Sequence, residues 1–434
     1  MDKQPEGDSD VLTQFITNFF ARRSSTFWST MRLFCRLAIH LILLFYTAQS
    51  FALTTETLPE NIYSPAFRYG QINGLEDRYT ENGKLVRLTD YKSIQFDADT
   101  LAKFNAKANE LIATLNKFGL YKAGDLFNLG TLQIETKPEI KYFAPILAKG
   151  ISETWTIALG LPVIKYSNQI SLSQKFSNID YYNQFRGLSP ELDQALDTDL
   201  SVETQKVILA KGYQPLQSQQ KQFLGDIQLV SVKKVMQKIN STLLHLLTVT
   251  LPTGPNYDAD NLLALNTFHE FSIENKIAYV QKVFYFLDLI PNLSVKYFLP
   301  QKITARIPKN TDDVLPDDNS KDEITKSAGL TVEAGLNFGL SFSEQFKISG
   351  GYVYGEKQSD SYSDSNKGES SVLAQNTKSK WQKVNLDLSY STVQNYMNSK
   401  KFIPMIVSLN VYDTMAGVNV ERRLGQELNL TLFF

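Results

Sequence analysis

The sequence predicts an all-β protein, a transmembrane antiparallel β-barrel of about twelve strands within a range of about ten to fourteen. Three observations predict this class. Long stretches alternate apolar with small or polar residues, connections alternate between short and long, and the chain ends on an apolar strand with a terminal phenylalanine. The composition agrees, because 27 Phe and 21 Tyr suit aromatic girdles at a bilayer interface, while a net charge of -1 lacks the positive footprint that nucleic acid requires.

The first 52 residues are predicted to direct export and to lie outside the barrel. An apolar run from Leu37 to Tyr46 is too short to span a bilayer as a helix and suits the core of a secretory signal. We therefore expect residues 31–52 to be a signal peptide that is cleaved after Ala52. Residues 1–30 are either an upstream extension of a chain whose translation starts at Met31, or a genuine long N-region.

Residues 53–130 are predicted to form an N-terminal segment with the first strand or strands and one helix. The region from Ala66 to Phe96 is the candidate for the first strand, and apolar residues at helical spacing predict the helix over residues 99–118. Short helices are also expected in the longest outer loop, opening at Ser189 and at Ser201. These helices either pack locally over the barrel rim, or form a lid or plug that narrows the pore.

Residues 131–434 are predicted to supply the main part of the barrel. The clearest strand lies between Ser327 and Leu340, where apolar residues alternate with small or polar ones. The polar set suits a lumen and the apolar set suits lipid, and the length exceeds the roughly five or six residues of a globular strand. Similar alternation marks Trp155–Val163, Leu293–Leu299 and Val384–Tyr390.

The predicted connections alternate in length, as they do in barrels with short periplasmic turns and long outer loops. Short connections are expected near residues 151–154, 237–241, 287–292, 341–345 and 394–401. Long connections are expected near residues 175–222, 252–268, 308–324 and 361–377, with a shorter member near 413–422. If both chain ends are periplasmic the number of strands is even, so at least one strand must precede Leu132.

The residues needed for catalysis are scarce. Beyond the predicted signal peptide the only histidines are His245 and His269, the sequence has no Gly-x-Ser-x-Gly elbow, and the single cysteine, Cys35, lies within the signal. Two acidic clusters, Asp312–Glu323 and Asp360–Glu369, lack the spacing of a calcium loop and are expected to be solvated. We therefore predict that the protein is not an enzyme and has no catalytic residues, metal site or cofactor.

Polar residues on the alternating face are expected to line the lumen. They either fill a narrow barrel by hydrogen bonding across it, or line a path for a solute. A lysine among them is expected to pair with an acid, which lowers the cost of burying either charge. The candidates are Lys296, Thr331, Glu333, Asn337, Asn385, Asp387, Ser408 and Asn410.

The last strand carries its apolar residues on one face. A terminal aromatic residue after such a strand is typical of outer-membrane barrels, in which the insertion machinery recognises it. The predicted assembly signal consists of Leu428, Leu430, Leu432 and Phe434.

Several short motifs along the chain resemble those of a family of bacterial outer-membrane barrels. They are Phe67-Arg68-Tyr69-Gly70, Asp77-Arg78-Tyr79, Tyr142-Phe143-Ala144-Pro145, Gly160-Leu161-Pro162-Val163, Gly225-Asp226-Ile227 and Leu251-Pro252-Thr253-Gly254. The resemblance is to transporters of the MetA-pathway phenol-degradation family and, distantly, to the long-chain fatty acid channel family, and it covers about Phe67 to Phe434. It implies passive uptake of small or hydrophobic compounds and no catalytic residues.

Fold and resemblance together lead us to expect an outer-membrane channel for passive uptake of small solutes, hydrophobic or aromatic ones included. The expected partners are outer-membrane lipid and lipopolysaccharide, the barrel assembly machinery and a small-molecule solute, with no nucleic acid. The alternative is a non-transporting barrel that presents surface loops for adhesion or structural contact. A secreted β-sandwich also uses alternation, but it would leave too many apolar faces for one core.

Overall fold

The computed structural model describes residues 57–87, 94–99, 106–118, 122–265, 269–311, 313, 315–363 and 365–434. The expected upstream extension, the signal peptide and its cleavage site at Ala52 lie outside these residues, as does the first part of the helix predicted over residues 99–118.

Most of the described chain is in β-strands. Numbered in chain order, the strands are β1 (Tyr63–Asn73), β2 (Asp77–Tyr79), β3 (Leu85–Arg87), β4 (Ile94–Asp97), β5 (Asn128–Ser152), β6 (Trp155–Gly160), β7 (Val163–Lys175), β8 (Gln219–Leu224), β9 (Ile227–Lys238), β10 (Ser241–Leu251), β11 (Ser272–Phe284), β12 (Leu287–Phe298), β13 (Gln301–Arg306), β14 (Lys321–Ser327), β15 (Thr331–Ser341), β16 (Phe346–Lys357), β17 (Ser361–Ser363), β18 (Ser379–Ser391), β19 (Met405–Val418), β20 (Val420–Glu421) and β21 (Leu424–Leu432). The described α-helices are α1 (Ala106–Phe118), α2 (Ile179–Tyr182), α3 (Pro190–Leu196), α4 (Leu200–Ala210) and α5 (Val393–Ser399). In the described part of the chain, none of the helices has the length and apolar composition needed to cross a membrane.

Twelve strands close into an antiparallel barrel. The ring runs β1, β5, β6, β9, β10, β11, β12, β15, β16, β18, β19, β21 and returns to β1. The first and last strands close it, with Tyr69 opposite Leu428, and Tyr63 and Phe434 exchange two backbone hydrogen bonds of 2.9 Å. The predicted barrel of about twelve strands is therefore confirmed, and both described ends of the ring lie beside the short turns.

Residues along each strand alternate between the lumen and the outside. In β15, Thr331 and Glu333 are buried, whereas Val332 and Leu336 are exposed by 37% and 55%. The exposed residues of the outer face are largely aliphatic or aromatic, as lipid requires. The alternation predicted over Ser327–Leu340 is thus a barrel strand, although the strand itself begins at Thr331.

Connections alternate in length around the ring, and four predicted positions need correction. The long connections expected near 175–222 and 308–324 run over residues 161–226 and 299–330, because β7, β8, β13 and β14 lie outside the ring. The short connection expected near 287–292 lies within β12, and the turn is at Tyr285–Phe286. Asp288, Pro291 and Asn292 are turn-forming residue types, but here they pair with β15. The shorter outer connection expected near 413–422 begins only after Val418, because β19 continues through a bulge.

Extra elements cover the end of the barrel that carries the long loops. One small sheet combines β13, β14 and β17, and another combines β2, β3 and β20. Residues of α1, α2, α3 and α4 share a buried cluster with Phe127 and Leu129 at the start of β5. The second loop helix begins at Leu200 rather than at the predicted Ser201, because the Asp199 carboxylate caps it and accepts the Ser201 N–H at 2.7 Å.

Candidate functional site

One half of the lumen is polar. Arg68 Nε donates to Asn429 Oδ1 at 2.7 Å, and Asn429 Nδ2 donates to Ser408 Oγ at 3.4 Å. Cross-strand pairing places Asp387 opposite Asn410, and Asn410 opposite Glu427. This surface, called the polar wall below, consists of Asn337, Asn385, Asp387, Ser408, Asn410, Glu427 and Asn429.

The opposite half of the lumen is apolar toward the short-turn end. Ala148, Ala158 and Val230 lie opposite one another on β5, β6 and β9. A buried cluster on β9 to β12 continues this surface, called the apolar wall below, with Val232, Leu244, Leu246, Ala278, Val280 and Ile290. Because β5 to β12 form one arc of the ring and β15 to β21 the other, the two walls face each other across the lumen.

A band of buried charges lies nearer the long loops. Its members, Glu274, Lys296, Glu333 and Lys383, alternate in sign along the ring, are all nearly inaccessible to solvent, and are called the charged girdle below. Glu274 is the direct cross-strand neighbour of Lys296. Lys383 Nζ lies 3.7 Å from Glu333 Oε1, which also accepts the Trp381 indole N–H at 2.9 Å. Buried charges persist when they are paired and hydrogen-bonded, so the girdle offers a solute polar groups without a large net charge.

Aromatic rings lie flat over glycines on the neighbouring strand. A Cβ at Gly70 would lie 2.3 Å from the Tyr142 ring, and one at Gly355 would lie 2.0 Å from the Trp381 ring. The Tyr142 hydroxyl donates to Glu427 of the polar wall. Glycine therefore lets bulky aromatic side chains lie along the wall, which leaves more of the lumen free than upright rings would.

The loop between β10 and β11 reaches into the barrel at the long-loop end. Leu265 packs with Ile72, Ile140 and Ile164 in a buried cluster, and Tyr166 donates its hydroxyl hydrogen to the Leu263 carbonyl oxygen at 3.2 Å. The loop therefore narrows the passage above the charged girdle.

Arg306 joins three segments of the outer cap. Its guanidinium donates to Asp260 Oδ1 at 2.7 Å and to the carbonyl oxygens of Lys211 and Gly212, each at 2.7 Å. It also lies 3.8 Å from the centre of the Tyr213 ring. The end of α4, the β10–β11 loop and the β13–β14 hairpin are thus held together by one buried cation.

All eight predicted lumen candidates alternate with outward-facing residues and point inward. Five are buried, namely Lys296, Thr331, Glu333, Ser408 and Asn410, and three are partly accessible, namely Asn337, Asn385 and Asp387. The structure brings Lys296 and Glu333 into the charged girdle, and it brings five of the other six onto the polar wall.

Sequence reasoning missed several lumen residues that accompany these candidates. Arg68, Glu274, Lys383, Glu427 and Asn429 also face inward. Glu427 and Asn429 alternate with Leu428, so the period-two pattern of the last strand already contained them. Lys383 lies two residues before Asn385 and next to the exposed Gln382, so the alternation of β18 also contained it; the extra residue at the register shift, Met415, is in β19. Among the described residues, no group of three or more His, Cys, Asp or Glu side chains could hold a metal ion.

No family model and no curated protein matches the chain. Among solved structures, the crystal structure of an outer-membrane channel from Pseudomonas putida F1 matches with a TM-score of 0.51 at 10% identity, over 89% of this chain and 100% of that one. The CymD monoaromatic hydrocarbon channel matches with a TM-score of 0.33 at 7% identity, over 87% and 89% of the two chains. A FadL homologue from Pseudomonas aeruginosa matches with a TM-score of 0.31 at 7% identity, over 86% and 90%. The first likeness shows the fold, an outer-membrane barrel, and agrees with the resemblance seen in the motifs; the other two scores are too low to support an argument.

Proposed function

We propose that the protein is an outer-membrane channel for the passive uptake of small solutes, hydrophobic or aromatic ones included. The observation that carries the proposal is the division of the lumen into an apolar wall and a facing polar wall. A solute with an apolar body and one hydrogen-bonding edge can contact both walls at once, so neither surface is left without a partner as it passes. Twelve strands enclose a lumen between those of small filled barrels and of open porins, which suits small solutes.

The charged girdle supports selection at the narrower end. Its two lysines and two glutamates balance, and each charge already has a neighbour of opposite sign. An uncharged solute can displace water there without breaking this balance, whereas an ion must be accommodated among both signs. We therefore expect neutral amphipathic compounds to pass faster than ions of similar size.

Uptake into liposomes tests the proposal, with single cysteines that can be blocked after folding. The inward Ala158 and its outward neighbour Ile157 are replaced by cysteine in separate variants; the only native cysteine, Cys35, lies within the predicted signal. A bulky water-soluble thiol reagent is expected to reduce uptake of a small aromatic alcohol toward the protein-free rate in Ala158→Cys and to leave Ile157→Cys unchanged. Uptake no faster than in protein-free liposomes would contradict the channel.

The alternative function, a barrel that presents its outer end for adhesion, has one observation in its favour. The outer helical cluster exposes Phe176 by 80% and Leu126 by 65%, and Phe176 has a positive φ of 58°. A folded barrel that gives no uptake, while its isolated membranes adhere to a surface in a manner lost in Phe176→Ser, would favour this alternative.

A further inference from the structure

The outer face of the barrel carries two lysines close to its short-turn end. Lys149 lies on β5 and Lys233 on β9, on either side of β6. Both occupy outward positions of the alternation, because their neighbours Gly150 and Val232 face inward. Much of the outer face at this end is apolar or aromatic, with Tyr63, Phe346, Leu340 and Tyr390 on other strands.

Neither lysine forms an ion pair with any described residue. Lys149 Nζ lies 4.9 Å from the centre of the Tyr63 ring, and Lys233 is exposed. Lys149 lies opposite Ile157, and Lys233 lies opposite Trp155. Two strand spacings separate the lysines laterally, about 10 Å, a distance that two flexible ammonium groups can close around one headgroup.

An aromatic surface lies between the lysines. The Trp155 indole N–H donates to Ser231 Oγ at 2.9 Å, which holds the ring against the wall, and Trp155 and Ile157 are exposed by 40% and 41%. Tryptophan is enriched at membrane interfaces because its ring is apolar on one side and polar at its edge. The surface therefore presents two unneutralised cations above an apolar strip that fits an acyl chain.

We infer that this surface, formed by Tyr63, Lys149, Trp155, Ile157 and Lys233, binds an anionic phospholipid of the inner leaflet. The phosphate carries the charge that the lysines lack, and the acyl chains cover Trp155 and Ile157. The assignment to the inner leaflet rests on the outer-membrane placement of the proposed function, in which short turns face the periplasm. Lipopolysaccharide is in the other leaflet and faces the opposite end of the barrel.

Tryptophan fluorescence provides a direct test. A chain that begins at Leu53, as the predicted cleavage leaves it, retains Trp155 and Trp381, and Trp381 is fully buried in the lumen. Brominated phosphatidylglycerol, added in small amounts to phosphatidylcholine vesicles, is expected to quench Trp155 at several-fold lower mole fraction than brominated phosphatidylcholine. Trp155→Phe is expected to remove this quenching.

Charge variants separate a site from a general lipid contact. Lys149→Gln and Lys233→Gln are each expected to lower the preference for phosphatidylglycerol about fivefold. The matched control is Lys137→Gln with Lys165→Gln, which removes two exposed lysines, one from the first half of β5 and one from the start of β7, and is expected to leave the lipid preference unchanged. Heat-dependent gel mobility confirms that each variant is folded.

Equal quenching by the two brominated lipids would overturn the inference, as would an unchanged preference in the Lys149→Gln and Lys233→Gln variants. Absence of quenching by either lipid would overturn it too, because Trp155 would then not face lipid. Solute uptake is measured on the same vesicles. A lipid preference without uptake contradicts the channel alone, and uptake without the preference contradicts the lipid site alone.

Discussion

At the scale of single residues, glycines in the wall decide how the lumen is filled. The Trp381 ring lies where a Cβ of residue 355 would be, only 2.0 Å from the nearest ring atom. We expect Gly355→Ala to force the ring from the wall and to lower the free energy of unfolding by about 1–3 kcal/mol, as overpacking does. The midpoint of the heat-dependent mobility shift, or of urea unfolding, measures the loss.

Gly160→Ala is the matched control for this substitution. Gly160 also lies in a barrel strand, but a Cβ there would be 3.8 Å from its nearest neighbour, an ordinary contact. Its unfolding midpoint is expected to stay unchanged or to rise slightly, because alanine has less freedom in the unfolded chain. Similar losses in the two variants would show that alanine itself, and not the Trp381 ring, is responsible.

The charge of Glu333 sets the balance of the girdle. Glu333→Gln keeps the shape of the side chain and an oxygen for the Trp381 indole N–H, which now bonds at 2.9 Å. It leaves Lys296 and Lys383 with one glutamate fewer, so we expect the reversal potential in a salt gradient to shift toward anion preference.

Glu323→Gln serves as control for the selectivity change. Glu323 lies in the outer β13–β14 hairpin with 61% of its side chain exposed, where it pairs with Lys302 at 2.8 Å. No shift in reversal potential is expected there. An unchanged potential in Glu333→Gln would mean that ions do not pass the girdle.

At the scale of elements, Arg306 holds the outer cap closed. It is 4% exposed and contacts three segments, so Arg306→Met leaves the carboxylate of Asp260 and three backbone carbonyls without this donor. We expect the cap to lose about 3–5 kcal/mol of stability while the barrel remains folded. Limited proteolysis measures the opening of the cap, and heat-dependent gel mobility shows whether the barrel remains folded.

Acidity is expected to open the same cap. Burial disfavours the charged form of Asp260, but hydrogen bonds from Lys321 and Arg306 outweigh it and hold the pKa of Asp260 below its ordinary value. The stabilisation is therefore complete above the unfolded pKa of about 4 and is lost as the pH falls through the folded pKa. Pepsin cleavage of the wild-type cap is therefore expected to rise steeply as the pH falls through the folded pKa of Asp260.

Lys302→Met is the control for Arg306→Met, because it removes a cation from the same hairpin. Lys302 is 74% exposed and its pair with Glu323 is at the surface, where such pairs contribute about 0–1 kcal/mol. Protease resistance close to the wild type is expected. If Lys302→Met and Arg306→Met open the cap equally, the buried contacts of Arg306 are not what holds it.

The last strand is the element whose role the sequence predicts most directly. Phe434 exchanges backbone hydrogen bonds with Tyr63, the first residue of β1, so it helps to close the ring. Deletion of Phe434 is expected to reduce the yield of heat-modifiable barrel in the outer membrane several-fold, with little effect on uptake by the molecules that do fold. Deletion that lowers uptake per folded barrel and spares the yield would assign Phe434 to transport and not to assembly.

Element type was predictable wherever side chains alternate with a clean period. Thr331 to Leu340 shows this, since a strand between water and lipid must alternate. Turns were less predictable, because Tyr285 and Phe286, which follow Phe284 at the end of β11, are aromatic residues that form a turn at the barrel end. Such residues favour strands in globular proteins, and only the neighbourhood of a bilayer interface makes an aromatic turn favourable.

At the scale of the whole molecule, closure of the barrel was predictable from the sequence, and the structure of the outer cap was not. An even strand number follows from placing both chain ends on one side, and β1 supplies the twelfth strand. The cap depends on single contacts between distant segments, such as Arg306 with Gly212 and Asp260, which leave no periodic trace in the sequence. The charged girdle was predictable in part, because alternation predicts that Lys296 faces inward but not that Glu274 is its cross-strand neighbour.

Closure of the ring gives the last prediction. Gln71 of β1 and Gln426 of β21 are directly opposite on the outer face, so cysteines at both positions meet the geometry of a disulfide. Gln71→Cys with Gln426→Cys is expected to form this bond in the folded protein and to convert the chain into a covalent ring, which migrates differently from the linear chain after boiling without reductant.

The control pair is Phe67→Cys with Gln426→Cys. These positions are four residues out of register, about 13 Å along the strand, and are expected not to form the disulfide. Because an open sheet or a β-sandwich would leave β1 and β21 as separate edges, failure of the in-register pair to crosslink in heat-modifiable protein would contradict the closed barrel.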